Sequence, residues 1–125
     1  MQTIEAIQAL PGAQRGDATP LEHWGPPSHV IAGRPDTRGI NAFASRGGAF
    51  SAGVWEASPG KWRVHYAEDE LCVLLSGRVV LTDSVGAQRT FVAGDAFVVP
   101  AGFHGTWEVV ETARKIYAIH EMSAA

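Results

Sequence analysis

From Phe50 to His120 the chain is a succession of short β-type runs, each closed by turn residues. The predicted strands are Phe50–Ala57, Lys61–Tyr66, Glu70–Leu75, Arg78–Thr82, Gln88–Val92, Ala96–Val99, Thr106–Val110 and Arg114–His120, with an earlier one at Ile40–Ala44. Between them stand Ser58-Pro59-Gly60, Ser76-Gly77, Asp83 to Gly86, Ala93-Gly94-Asp95 and Pro100-Ala101-Gly102, which favour tight turns or break a strand. Beyond residue 48 no segment holds a helical apolar period over ten residues. Short strands at roughly 8–12-residue spacing call for a sandwich or a barrel, in which a sheet can bury one face and protect its edges. The expected class is all-β.

Residues 1–48 have another character. They hold five of the seven prolines, with scattered glycines and no sustained period. Ile4, Ile7 and Leu10 mark one apolar stripe of a short helix that Pro11 and Gly12 would stop. His23-Trp24-Gly25-Pro26-Pro27 then predicts an irregular arm, and Trp24 with Val30-Ile31 predicts that the arm docks. Residues 1–48 are thus expected to be an arm with the first edge strand or strands of the same fold, and 49–121 the barrel core.

The 125 residues suffice for one domain. A formal net charge of −3 without a Lys/Arg cluster argues against a nucleic-acid surface or a polybasic membrane contact. The first ten residues lack the basic and apolar regions of a secretory signal. No apolar run approaches the roughly 20 residues that span a bilayer. A cytoplasmic protein is expected, on the absence of such signals alone. A single cysteine, Cys72, excludes an intramolecular disulfide and a cysteine-based zinc cluster.

Two clusters carry chemical information. The first is Arg63-Val64-His65, then Glu70 and Gly77; the second is Gly94, Pro100 and Gly102, with His104 and Trp107 just beyond. Their spacing resembles the two signature motifs of the cupin superfamily, over about three-fifths of the chain. The resemblance implies a double-stranded β-helix, the cupin or jelly-roll barrel. The segments Gly53-Val54-Trp55-Glu56, Pro59-Gly60-Lys61-Trp62, Glu68-Asp69-Glu70, Gly77-Arg78-Val79 and Trp107-Glu108-Val109 are similar to small single-domain cupins of unassigned function. That branch is related to ureidoglycine aminohydrolase and the ethanolamine-utilisation cupins.

Carried over position by position, the resemblance puts the four metal ligands at Arg63, His65, Glu70 and Gly105. Only His65 and Glu70 are ligand-type side chains, whereas a catalytic metal site usually takes three protein ligands. A guanidinium at the first position repels a cation, and Gly105 would leave open space. A divalent metal (Mn, Fe, Ni or Zn) is therefore not favoured. His104, next to Gly105, should face away from the interior unless a bulge re-aims it.

Alternation places Arg63 and His65 on one face of their strand and Trp62, Val64 and Tyr66 on the other. The resemblance implies that the Arg63 face lines the barrel, with Glu70, Cys72 and Trp107; Trp55 and Tyr117 are candidate walls. Arg63 would clamp a carboxylate, and His65 with Glu70 would form an acid/base pair. The bland alternatives are an Arg63–Glu70 ion pair, an ordinary polar role for His65, and Cys72 as a small buried hydrophobe. His104 and His120 are expected to be exposed, and Trp62 and Tyr66 to pack on the outer face. The expected function is binding of a small carboxylate or ureido-type molecule. Open beside it stand a metal-dependent enzyme such as an aminohydrolase and a non-catalytic regulatory barrel. The resemblance also implies a homodimer, with the arm as a candidate to cross the subunit boundary.

Overall fold

Two long strands organise the molecule. The computed structural model describes residues 2–121, and in it β6 (Asp69–Asp83) and β9 (His104–His120) run antiparallel along almost their whole length. On the side of β9 away from β6, β4 (Phe50–Ala57) pairs with its C-terminal half and β5 (Gly60–His65) with its N-terminal half. On the far side of β6, β8 (Ala96–Val99) and β7 (Gln88–Val92) divide the strand in the same way. The shared pair thereby feeds two facing sheets. β3 (Thr37–Ala44) and β1 (Glu22–Gly25) extend the one at β4, and β2 (Val30–Gly33) extends the other at β5. This is the jelly-roll architecture.

The predicted strands of the core are present, with one systematic difference. Glu70–Leu75 and Arg78–Thr82 are a single strand, β6, and Thr106–Val110 and Arg114–His120 are a single strand, β9. The Ser76-Gly77 turn signal marks a corner instead. At Gly77 the backbone has φ +89°, and the register shifts between Ser76 and Arg78. A Cβ on Gly77 would lie 2.6 Å from Ala113 Cα and 2.8 Å from Glu111 O, so the two strands cross here too closely for a side chain.

The arm is more ordered than its prolines predict. β1 and β2 are edge strands of the two sheets. The expected helix is one 3-10 turn, Ile4–Ala6, and Ile4 and Ile7 are exposed. The segment around Gly12 packs on Val54, and Arg114 fastens it by donating from Nη1 to Gly12 O at 3.1 Å while its Nε meets Glu56 Oε1 at 3.0 Å. Among the described residues no helix is long and apolar enough to cross a membrane.

The core lies between the sheets. Trp62, Cys72, Leu74, Val79, Leu81, Phe91, Val99, Trp107, Val109 and Ala113 form one buried cluster. Leu74 and Val79 lie on either side of the Gly77 corner, so both halves of β6 contribute to it.

Candidate functional site

One end of the barrel holds a cavity of about 410 Å³. Trp55, Trp62 and Trp107 form its aromatic wall, Glu70 and Lys115 face each other in its floor, and Tyr66, Tyr117, Asn41, Ser51 and Trp24 are among the other lining residues. Trp24 comes from β1, so the N-terminal arm helps to build the cavity. Cross-strand register explains the assembly: Trp62 lies opposite Trp107, and Cys72 opposite Tyr117. Directly opposed residues of neighbouring strands share a face.

That register overturns one expectation. Trp107 does point inward, so its partner Trp62 must as well, and Trp62 is buried. Arg63 and His65 then fall on the outer face of β5, and both are exposed. Val64 and Tyr66, expected outside with Trp62, line the cavity. The physical reason is the larger apolar area recovered by burying an indole instead of a guanidinium and an imidazole. Arg63 and His65 border an adjoining open groove of about 340 Å³ with Pro27, Ser28 and Glu68, which shares Trp62, Val64, Tyr66 and Glu70 with the cavity. Among the described residues, no hydrogen bond or ion pair joins Arg63 or His65 to Glu70; the Glu70 carboxylate is paired elsewhere.

The remaining sequence candidates divide. Trp55, Trp107 and Tyr117 lie on the cavity wall with Glu70. Cys72 points to the same side but is fully buried behind it, out of reach of a ligand. His104 is on the outer face, where its ring stacks on His65 at a centroid distance of 3.9 Å. Gly105 offers no open space: a Cβ there would collide with Thr82 O and lie 3.0 Å from Phe103 Cζ.

Lys115 is the residue that motif spacing missed. Its Nζ lies 2.8 Å from Glu70 Oε2, with both side chains almost fully buried. The same ammonium stands 4.6 Å from the Trp55 ring centre and 4.3 Å from that of Trp107, and 3.6 Å from Cys72 Sγ. A strand-period argument from Tyr117 would have found it, since Lys115 and Tyr117 are two residues apart on β9.

Burial and the Glu70 charge govern the titration of the site. Burial, the largest single influence, would pull Lys115 down, but Glu70 and Cys72 together outweigh it, and the ammonium is held above its ordinary value. Burial pushes the Cys72 thiol up to about 12. Burial, with Glu70 beside it, raises Tyr66 and more weakly Tyr117. Tyr117 donates from its hydroxyl to Asn41 Oδ1 at 2.7 Å.

The positions that the resemblance assigns to a divalent metal do not fit one. Arg63 and His65 face outward, Gly105 excludes a side chain, and the lone carboxylate is engaged by Lys115. Among the described residues no three His, Cys, Asp or Glu side chains come together.

Comparison with known proteins agrees with the architecture. A family model described as a EutQ-like cupin domain matches residues 44–117. A protein of unknown function from Pseudomonas syringae pv. tomato is 30% identical with a TM-score of 0.74; the match covers 82% of this chain and 45% of that one. The chain therefore spans less than half the length of that relative. The EutQ protein of Clostridium difficile is 17% identical with a TM-score of 0.62, over 70% of this chain and 69% of its own. An ethanolamine utilization protein Q from Salmonella typhimurium is 16% identical with a TM-score of 0.61, over 73% and 72%. These two show a common fold. A comparison with curated proteins found no match. With the model covering more than half of its residues, and with the jelly roll in place, the chain belongs to the EutQ-like cupin family.

Proposed function

We propose that the barrel binds a small uncharged molecule with a flat polar group of the amide or ureido type. The observation that carries this reading is the Glu70–Lys115 pair closed on itself in the floor of an aromatic cavity. The paired charges cancel, so the cavity offers an ionic ligand no net attraction. Its four indole rings provide flat apolar area, while Asn41, Ser51 and Tyr66 supply polar atoms at the wall. The volume is within the range of small-molecule sites. The carboxylate half of the sequence expectation rested on Arg63 inside the barrel, and Arg63 lies outside. An acid/base pair of His65 and Glu70 lacks the contact it requires, and the metal-assisted aminohydrolase lacks a donor set.

The test is calorimetric titration of short ureido and amide compounds against short carboxylates. Ureido or amide binding is expected, weakened at least tenfold by Trp55→Ala and unchanged by Arg63→Ala or His65→Ala. Exposed side chains such as these rarely alter stability by more than about 0.5 kcal/mol, so both variants should fold normally. Carboxylate binding that disappears in Arg63→Ala would move the site to the outer groove and overturn the reading.

We also propose a homodimer, formed through the outer face of the larger sheet. Phe43 opposes Ala52, Ala52 opposes Ala118, Ala118 opposes Leu71 and Leu71 opposes Val98, an apolar row across five strands. Phe43, Leu71 and Val98 are exposed, and Phe50 stands beside Phe43 at a ring distance of 6.1 Å. A second copy presenting the same row would cover it. Sedimentation at micromolar concentration should give a dimer, and Leu71→Arg a folded monomer; a monomeric parent protein refutes the proposal.

A further inference from the structure

The floor of the cavity has the composition of a receptor for organic cations. Trp55 and Trp107 flank one position at 4.6 and 4.3 Å from their ring centres, and the Glu70 carboxylate closes it at 2.8 Å. Two indole faces and one carboxylate around a point are the arrangement that holds an ammonium group by cation–π attraction and a charged hydrogen bond. In this chain the point is filled by the chain's own Lys115. The residue is anchored in the middle of β9 with its side chain 6% exposed.

We propose that Lys115 is the charge-selecting residue of the cavity, a built-in occupant of an ammonium cage that bars metal ions and organic cations and leaves the space above it to uncharged ligands. The inference rests on the reading of the cavity as a ligand site, and it adds which chemical class is refused and by which atom. Three properties make the occupancy stable. The ammonium is tethered, so it pays no association entropy that a free amine would pay. Its counter-ion is buried with it, and extraction would strand a carboxylate in an apolar wall. Cys72 Sγ, 3.6 Å away, takes a further contact from Nζ. A competing cation would have to displace all of these at once. A competing divalent ion would find the Glu70 carboxylate already engaged by Lys115 and, among the described residues, no group of three His, Cys, Asp or Glu side chains to hold it.

The cage can be emptied and refilled. Lys115→Ala removes the side chain beyond Cβ, and the missing piece is a propylammonium ion. Thermal melts of the parent protein and of Lys115→Ala, each with propylammonium, with 1-propanol as the uncharged analogue and with Mn²⁺ or Zn²⁺, read the proposal directly. The parent should respond to none of them. Lys115→Ala should melt lower and recover on the order of 4 °C with millimolar propylammonium but not with propanol. Adding Glu70→Gln to Lys115→Ala should abolish the recovery.

A parent protein stabilised by propylammonium or by a divalent ion would overturn the proposal, as would a folded Lys115→Ala that ignores the amine. Should Lys115→Ala not fold alone, expression in the presence of propylammonium is expected to yield soluble protein, and equal insolubility with and without the amine counts against the cage. None of these outcomes uses a ureido or amide compound. Failure of the ureido and amide titrations therefore refutes the binding reading separately from the cage.

Discussion

Lys115→Met should cost the fold about 3–5 kcal/mol, because it leaves the Glu70 carboxylate buried without a partner. The side chains of the pair are 6% and 9% exposed and meet at 2.8 Å, so water screens neither charge once the other is gone. Glu70→Gln is expected to cost less, since the ammonium keeps its contacts with Trp55 and Trp107. The double variant Glu70→Gln with Lys115→Met should regain most of the loss, giving a coupling energy of roughly 2 kcal/mol or more in a denaturant-melt cycle. Additive single losses would show that the two side chains act independently. The pair also sets an alkaline limit. The ammonium is held above its ordinary 10.5, so its contribution is intact below that value and is lost as pH rises through the folded-state value. A steep loss of melting temperature at alkaline pH should be present in the parent and reduced in the double variant.

Gly77→Ala should be nearly as damaging by another route. The position has φ +89°, which costs an L-residue roughly 1–2 kcal/mol. The new methyl would also collide with Thr112 O and sit 2.6 Å from Ala113 Cα, where overpacking typically adds about 1–3 kcal/mol. Neither obstacle is the end of a flexible side chain. Both are backbone of β9, which is tied into β4, β5 and β6 and has no room to give. Gly86 is the control: it has the same φ of +89°, but beyond its chain neighbours nothing lies within 4 Å of a Cβ built on it. Gly86→Ala should therefore show the conformational cost alone, and the difference between the two unfolding midpoints measures the crowding at the corner.

The parts of the fold that follow local chemistry were legible in the sequence. Alternation, β-branched runs and turn residues place β3 to β9 to within a few residues, and the paired motifs lead to the cupin barrel that the family match shows. Ser76-Gly77 was the instructive exception. The dipeptide signals a turn, yet the chain uses it to bend one strand where β6 and β9 cross from sheet to sheet. Only the long pairing partner distinguishes a bend from a hairpin. β1 and β2 were illegible as strands because the prolines around them dominate the local signal, and the partner of β2, β5, lies further along the chain.

The candidate site shows the same division more sharply. From its sequence alone the chain determined that Arg63 and His65 share one face and that Trp62 and Val64 share the other. It equally determined that Lys115 goes with Tyr117, because the side-chain period of a strand is two. Which face is inside was decided by tertiary structure: Trp62 opposite Trp107, both indoles buried between the sheets. The resemblance placed the Arg63 face inside with Glu70, but a break between β5 and β6 separates the two, and alternation counted along one strand does not carry facing into the next. The Glu70–Lys115 contact joins residues 45 positions apart, brought together only when β6 and β9 pair. Local sequence fixes the alternation of a strand; burial energy, summed over partners distant in the chain, fixes its orientation.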